Sequence, residues 1–202
     1  MSPSHAFATA LLLCSGCCLT VKGGEVGETK VESWKDGRKT AILLFFDDNT
    51  PSQLKNAIPE LKKRNLVGTF YVCPGRKQFW TAAWEKEESD PAVVLGNHTM
   101  NHKFVADATE MENEIKECSE ALAKLRPDGQ KPVLVSFGKP GTNPPWKIAE
   151  DQIKAVIPKY NLVYRPAIVM ASIHLKTGKD MVSAVDKAIA KGEAGNILFH
   201  GV

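Results

Sequence analysis

Short apolar runs that alternate with amphipathic segments constrain the fold of this chain more than any other feature of its sequence. Residues 40–46 (TAILLFF) and 67–73 (VGTFYVC) are largely apolar, as expected of strands that are buried on both faces. Segment 107–125 instead places apolar residues at helical spacing, which is typical of an amphipathic helix. Strands that alternate with helices form βαβ units, so the pattern predicts an α/β domain built on a parallel sheet.

About seven strands can be placed along the chain in this way. The predicted strands are 40–46, 67–73, 92–95, 132–137, 161–164, 167–173 and 196–199. The predicted helices are 50–61, 81–88, 107–125, 147–159 and 179–191. Thr50 and Gln53 indicate the cap of the first helix, which Pro59 is expected to kink or split. A parallel sheet of this size forms a (β/α) barrel or a doubly wound sheet, and in both folds the functional residues lie where strands end.

Length, charge and cysteine content exclude several classes of protein. Two hundred and two residues suit one domain with a substantial core. The formal net charge is +3 without a dense Lys/Arg cluster, so no nucleic-acid partner is predicted. No stretch reaches the roughly 18 apolar residues of a membrane span, so no transmembrane helix is expected in the mature protein. Beyond the N-terminal segment only Cys73 and Cys118 remain, predicted to be free, half-buried thiols, with one disulfide as the alternative.

The first 22 residues have the character of an export segment. Residues 6–19 are small and apolar, which suits the hydrophobic region of a signal peptide, although residues 1–5 contain no Lys or Arg. The run 13–17 (LCSGC) resembles a bacterial lipoprotein box, so a lipid anchor on Cys17 is an alternative to simple secretion. We therefore predict a secreted, periplasmic or cell-envelope protein whose folded domain spans residues 39–202.

Polar residues of the types used in catalysis and metal binding follow the predicted strands. They are Asp47 and Asp48, His98 and His102, the Gly- and Pro-rich loop 138–146, His174 and His200. Because the carboxyl ends of parallel strands meet at one edge of a sheet, we expect these groups to converge. Four of the five histidines of the chain belong to this set, which argues against chance placement.

The spacing of His98 and His102 predicts a metal site. If the chain turns helically there, residues four apart lie on one face, with Cβ atoms roughly 6 Å apart. Two imidazoles so placed can bind one metal ion, and zinc accepts histidine nitrogen readily. A chance pair is the alternative, and the nearby supply of a third ligand type from Asp47 and Asp48 favours the metal site.

Three motifs, in their order along the chain, resemble the polysaccharide deacetylase family (the NodB-homology domain, carbohydrate esterase family 4). They are 46–49 (FDDN), 96–102 (GNHTMNH) and 198–200 (LFH). The resemblance covers the chain from residue 39 to its end. It implies a distorted (β/α) barrel, a divalent metal that is usually zinc, and removal of acetyl groups from N- or O-acetylated sugars such as chitin, peptidoglycan or xylan.

The resemblance also implies a role for each matching residue. The metal ligands would be Asp48, His98 and His102. Asp47 would be the general base, His200 would be the general acid, and Leu198 would line the pocket for the acetyl methyl group. Asp47 and Asp48 are adjacent and would face opposite ways on an extended strand, so a turn must aim both. Asn49 stands where the family usually has Gly, and asparagine tolerates the left-handed conformation that such a turn needs.

Two parts of the family pattern are missing from this chain. The loop that normally carries an arginine to orient the catalytic base reads 136–142 (SFGKPGT), without arginine. Lys139 is expected to replace it, with Arg165 as the next candidate. A lysine, however, cannot form the two parallel hydrogen bonds to a carboxylate that an arginine forms. The region that normally carries a tryptophan and a nearby aspartate reads 171–175 (ASIHL).

Four residues are predicted to contact substrate: Leu198, Lys139, Trp146 and His174. Trp146 belongs to a loop that borders the site, so its ring could stack on a sugar or pack in the core. His174 could be a pocket residue or an ordinary core or surface histidine.

The sequence thus predicts an exported, metal-dependent hydrolase that acts on an acetylated polysaccharide or oligosaccharide. Two other functions stay open, namely hydrolysis of a non-peptide C–N bond in a small amide and carbohydrate binding without turnover. The missing loop arginine motivates the second of these. Because strand 196–199 leads into His200 just before Val202, we also expect the barrel to be incomplete at its C-terminus, and His200 to be mobile unless further residues or another chain cover that edge.

Overall fold

The computed structural model of the chain describes residues 34, 37–126 and 134–202. The expected export segment 1–22, with Cys17, lies outside these residues. Within them, six strands form one sheet in the order β5-β4-β3-β2-β1-β6, and all neighbours run parallel. The strands are β1 (Ile42–Asp47), β2 (Gly68–Val72), β3 (Val93–Asn97), β4 (Val135–Phe137), β5 (Leu162–Tyr164) and β6 (Gly195–Phe199).

Helices alternate with these strands, as predicted. They are α1 (Ile58–Lys63), α2 (Ala82–Glu87), α3 (Ala108–Ala123), α4 (Glu150–Val156), α5 (Ala171–His174) and α6 (Gly178–Lys191). A π-helical turn, Gln53–Ala57, leads into α1, where Pro59 lies in the first turn. Ala57 and Ile58 both keep helical backbone angles, so the segment changes from π-helical to α-helical hydrogen bonding just before Pro59 and is not split there. Pro59 is accommodated because the missing N–H of proline matters least in the first turn of a helix. None of the helices in the described residues is long and apolar enough to cross a membrane.

The strand predicted over 167–173 is wrong as a full strand. Met170 forms only one parallel bridge with Leu198 of β6, and the chain then turns into α5. His174 Nδ1 accepts a hydrogen bond of 3.1 Å from the Met170 N–H, a local contact that competes with extended pairing. Segment 167–170 nevertheless links β5, at one edge of the sheet, to β6 at the other. The fold is therefore an incomplete, distorted (β/α) barrel of six strands rather than seven.

The main hydrophobic core lies between the sheet and the helices. Phe70 of β2 and Trp84 of α2 are fully buried there. The predicted apolar stripe of α3 faces the same core, and its buried members are Met111, Ile115, Cys118 and Leu122. Burial of this stripe fixes α3 against the sheet, and so fixes the loop after β3 that precedes it.

A second, smaller cluster lies on the concave face of the sheet. Phe45, Tyr71 and Leu198 are buried together there. Side chains alternate along a strand, so Asp47 projects on the same side as Phe45, and His200 follows Leu198 in the same way. The two predicted catalytic residues are thus carried above an apolar floor at the carboxyl end of the sheet.

The two cysteines of the domain are free, as predicted, and both are fully buried rather than half-buried. The Cys73 thiol lies 3.1 Å from the His98 carbonyl, and the Cys118 thiol lies 3.5 Å from the Val72 carbonyl. Burial raises the pKa of both thiols. A protonated, buried thiol is a poor nucleophile, so both residues are structural.

Candidate active site

The turn after β1 separates the two aspartates. Asp48 and Asn49 have φ angles of 79° and 42°, so the chain turns through the left-handed region as expected. The buried Asn49 stabilises this turn, because its Oδ1 accepts from the Cys73 N–H at 2.9 Å and its carbonyl accepts from Trp84 Nε1 at 3.1 Å. Trp84 is therefore a core residue that supports the site from behind.

His98 and His102 lie on a loop and not on a helix, so the helical turn considered from their spacing is not the geometry that the chain adopts. Thr99 and His102 have φ angles of 69° and 54°, which an α-helix excludes. Asn97 Oδ1 accepts from the Thr99 N–H at 2.9 Å, and Thr99 Oγ1 accepts from the His102 N–H at 3.2 Å. These local bonds replace the helical ones and still bring the two imidazole rings to a centroid separation of 5.1 Å.

A buried carboxylate on α3 holds the same loop. The side chain of Glu114 is only 3% exposed, and it accepts from the N–H and the side-chain amide of Asn101, both at 2.8 Å. Lys103 Nζ lies 3.5 Å from the same carboxylate. Glu114 thus ties the loop that carries His98 and His102 to α3, a role that the sequence pattern did not reveal.

Asp48, His98 and His102 converge on one point. His102 Nε2 lies 3.0 Å and His98 Nε2 lies 3.6 Å from Asp48 Oδ1, and the three ligand atoms all lie within 4.8 Å of one another. His98 Nδ1 lies 2.6 Å from the Gly138 carbonyl, which can only accept, so Nδ1 carries the proton and Nε2 presents its lone pair to the site.

The donors of this set fit a divalent metal ion. Asp48 Oδ1 is buried and accepts no hydrogen bond of good geometry within the described residues, although His102 Nε2 lies 3.0 Å and Arg76 Nη1 lies 3.3 Å from it. A bound cation would satisfy this carboxylate oxygen directly. Two imidazole nitrogens and one carboxylate oxygen are ligands that zinc prefers, and three protein ligands leave a coordination position open.

The protonation equilibria of the three groups agree with this interpretation. Burial alone raises the pKa of Asp48, but the adjacent His102 and the charges of His98 and His102 lower it, to about 2. Burial lowers the pKa of His98, so this imidazole is neutral near pH 7. Asp48 raises the pKa of His102. The proton that Asp48 favours on His102 is what a bound cation would displace.

Arg165, and not Lys139, holds Asp47. Arg165 Nη1 lies 2.6 Å from Asp47 Oδ1 and Nη2 lies 2.9 Å from Oδ2, a bidentate pair whose two side chains are 8% and 3% exposed. The guanidinium also lies 4.6 Å from the centre of the Tyr71 ring. The expectation for Lys139 is wrong because its ammonium points away, to Glu150 at 3.9 Å.

Gly138 makes room for this arginine. A Cβ at position 138 would lie 2.9 Å from the Arg165 guanidinium carbon and 2.9 Å from the Tyr71 ring. Gly138 begins the loop in which the family arginine was expected, and its missing side chain leaves space that Arg165 enters from the end of β5. The position of the Arg165 side chain therefore depends on a glycine at position 138.

A cleft of about 370 Å³ opens above Asp47. Five of the predicted site residues line it, and they are Asp47, Lys139, Trp146, Leu198 and His200. Trp146 is 6% exposed and its Nε1 donates to the Lys103 carbonyl at 2.9 Å, so it forms a fixed wall. His174 is not brought to the cleft; it is exposed on α5.

Gln53 connects the ends of β1 and β6. Its Nε2 donates to the Asp47 carbonyl and to the His200 carbonyl, both at 2.6 Å. Thr50 Oγ1 donates to the same His200 carbonyl at 3.3 Å. Gln53 is fully buried and fixes the distance between the backbones of the two predicted catalytic residues. Its place in the first helical turn suggested a capping residue and concealed this role.

Replacing Gln53 with Glu is expected to lower the rate of hydrolysis about tenfold without loss of metal. The carboxylate cannot donate to the two carbonyls, and a displacement of reacting groups by a fraction of an ångström has effects of this size. Steady-state kinetics should show the loss in kcat rather than in KM. Gln78→Glu makes the same substitution on an exposed position outside the cleft and is the matched control. Equal kinetics for the two variants would contradict the role of Gln53.

This chain belongs to the polysaccharide deacetylase family. The family model described as polysaccharide deacetylase matches residues 35–154, which include the aspartate pair and both loop histidines. A search of curated protein sequences gave no match.

Solved structures of carbohydrate esterase family 4 share the fold. A mutant of a pseudoenzyme of that family from Bacillus anthracis, in which enzymatic activity was restored, is 18% identical with a TM-score of 0.59, over 82% of this chain and 57% of that one. A Streptococcus mutans esterase is 17% identical with a TM-score of 0.58, over 80% and 74%. A Streptomyces lividans esterase in complex with acetate is 18% identical with a TM-score of 0.52, over 79% and 78%. The chain thus spans little more than half the length of the first of these relatives.

Proposed function

We propose that this protein is a metal-dependent hydrolase that removes acetyl groups from N- or O-acetylated polysaccharides or oligosaccharides. One observation carries the proposal: Asp47, which lines the cleft and is held by Arg165, lies beside the Asp48, His98 and His102 cluster. A general base next to a three-ligand metal site suits metal-assisted hydrolysis of an acetyl group.

Asp48, His98 and His102 would hold the ion, and zinc suits this donor set best. When bound, such an ion supplies Lewis-acid chemistry that polarises the acetyl carbonyl and makes water more acidic. Asp47 takes the proton of the attacking water. Its Oδ2 lies 3.6 Å from His98 Nε2, so the base is adjacent to the ligand cluster. Arg165 orients that carboxylate through two parallel hydrogen bonds.

His200 returns a proton to the departing amine or alcohol. Its ring lies in the wall of the same cleft, and Gln53 fixes its backbone relative to Asp47. Leu198 is 1% exposed and belongs to the apolar floor formed with Phe45, which suits contact with the acetyl methyl group.

A carbohydrate-binding domain without turnover is the second candidate. It is favoured by the likeness to a family 4 pseudoenzyme and by the absence of arginine from the loop after β4. The bidentate Arg165 argues for the enzyme, because it restores from another strand the contact that the loop does not provide.

Acetate release from a panel of substrates tests the proposal. The panel contains chitooligosaccharides, acetylated xylan, peptidoglycan fragments and a small acetamide, each incubated with zinc-loaded protein. We expect acetate from at least one glycan and none from the acetamide. Binding of the glycans without acetate release would favour the second candidate, and turnover of the acetamide alone would favour a small-amide hydrolase.

We also propose that the protein acts after export, on the basis of the apolar segment 6–19. Cell fractionation tests this, and a full-length protein retained in the cytosol would contradict it.

A further inference from the structure

A second cleft adjoins the catalytic one. Its volume is about 390 Å³, and it shares Lys139, Arg165 and Ile168 with the wall of the cleft above Asp47. The two clefts are therefore neighbours, with these three side chains at their common border. A glycan whose acetylated sugar lies above Asp47 can reach this second cleft with a neighbouring sugar unit by passing over that border.

The walls of the second cleft carry an excess of positive charge. Lys139, Lys154 and Arg165 line it, against the single carboxylate of Glu150. Arg165 is already paired with Asp47, and Glu150 lies 3.9 Å from Lys139. No carboxylate among the described residues forms an ion pair with Lys154, whose ammonium lies 6.0 Å from the centre of the Tyr164 ring.

We propose that this second cleft binds an anionic sugar unit next to the acetylated one, with Lys154 and Lys139 contacting its acidic group and Tyr164 packing against its ring. The proposal rests on the hydrolase function proposed above. Glu150 and Lys139 are about one half and one third exposed, so their contact is weak in water and a ligand anion can replace it. The half-buried Tyr164 ring offers an apolar surface beside these charges, the combination that an acidic sugar requires.

Binding is measured first, so that the result does not depend on turnover. The Asp47→Asn variant, loaded with zinc, is titrated with a neutral chitooligosaccharide, a partly acetylated oligogalacturonate and a sulfated chitooligosaccharide. The last two separate a carboxylate from a sulfate as the preferred anion. We expect at least one acidic ligand to bind about threefold to tenfold more tightly than the neutral one, and this preference to vanish in about 1 M salt.

Charge reversal at Lys154 is the decisive change. Lys154→Glu is expected to remove the preference for the acidic ligands, and Lys187→Glu, on an exposed position of α6 outside both clefts, should retain it. Equal affinities for neutral and acidic ligands, or equal behaviour of the two variants, would overturn the proposal. If the acidic preference holds but the parent protein releases no acetate, the hydrolase function fails and the anion site stands.

Discussion

Replacing Asp47 with asparagine is expected to lower acetate release by about a hundredfold or more while the protein keeps its metal ion. An amide cannot take a proton from the attacking water. The substitution is nearly isosteric and leaves one oxygen for Arg165, so the geometry of the cleft should change little. Acetate release by metal-loaded protein, measured at substrate saturation and below it, checks the expectation.

Asp48→Asn is the matched control for that change, since it alters the next residue of the same turn. We expect it to lower metal content, because Asp48 and not Asp47 lies closest to His102. If Asp47→Asn loses the metal and Asp48→Asn retains it, the roles of the pair are reversed. Asp47→Asn also leaves the buried Arg165 with a neutral partner, and breaking a buried ion pair costs about 3–5 kcal/mol, so thermal unfolding must confirm that the variant is folded at the assay temperature.

Replacing His98 and His102 together with alanine is expected to abolish both metal binding and hydrolysis. One carboxylate alone cannot retain a zinc ion at micromolar concentrations, because the three-ligand set is lost. Thermal unfolding provides a second readout. A metal ion at about a hundred times its Kd stabilises the folded state by about 2.7 kcal/mol. For a chain of this length that corresponds to an increase in Tm of roughly 5–10 °C for the wild type and none for the double variant.

His174→Ala is the control for loss of a histidine. His174 is exposed on α5 and lies outside the cleft, so its removal should change neither the metal content nor the increase in Tm. A double variant that still shows the full zinc-dependent increase in Tm would contradict the ligand assignment.

The sequence was informative where strands end. Continuous apolar runs marked β1 and β3, so the aspartates and the paired histidines could be assigned to one edge of a parallel sheet, and the structure brings them together there. The backbone at these points was less predictable. A helical turn was the geometry considered for the His98 loop, but contacts with Asn97 and Glu114 stabilise left-handed residues instead. Two histidines four residues apart can be brought together by a helical turn or by a loop of this kind, so their spacing does not distinguish the two.

The contact that orients Asp47 was predicted only as a second choice. Arg165 was the candidate after Lys139, and its bidentate contact with Asp47 joins residues 118 positions apart, which depends on curvature of the sheet that no local pattern encodes. Lys139 was expected to hold Asp47 because it is near the family motif in sequence, yet its ammonium contacts Glu150. The strand predicted through Ile173 failed for a different reason, since the contact between His174 and the Met170 N–H favours a helical turn in an apolar stretch that suits either state.

The assignment of the metal ligands and of the general base is tested most directly by measuring metal content and acetate release side by side. The proteins compared are the wild type, Asp47→Asn and the His98→Ala, His102→Ala double variant. Each protein is stripped with a chelator, dialysed against zinc, and analysed for metal per chain before it is assayed. We expect about one ion per chain in the wild type and in Asp47→Asn, almost none in the double variant, and rapid acetate release by the wild type alone. Equal metal content in all three proteins, or equal acetate release with and without the ion, would contradict the roles assigned to these residues.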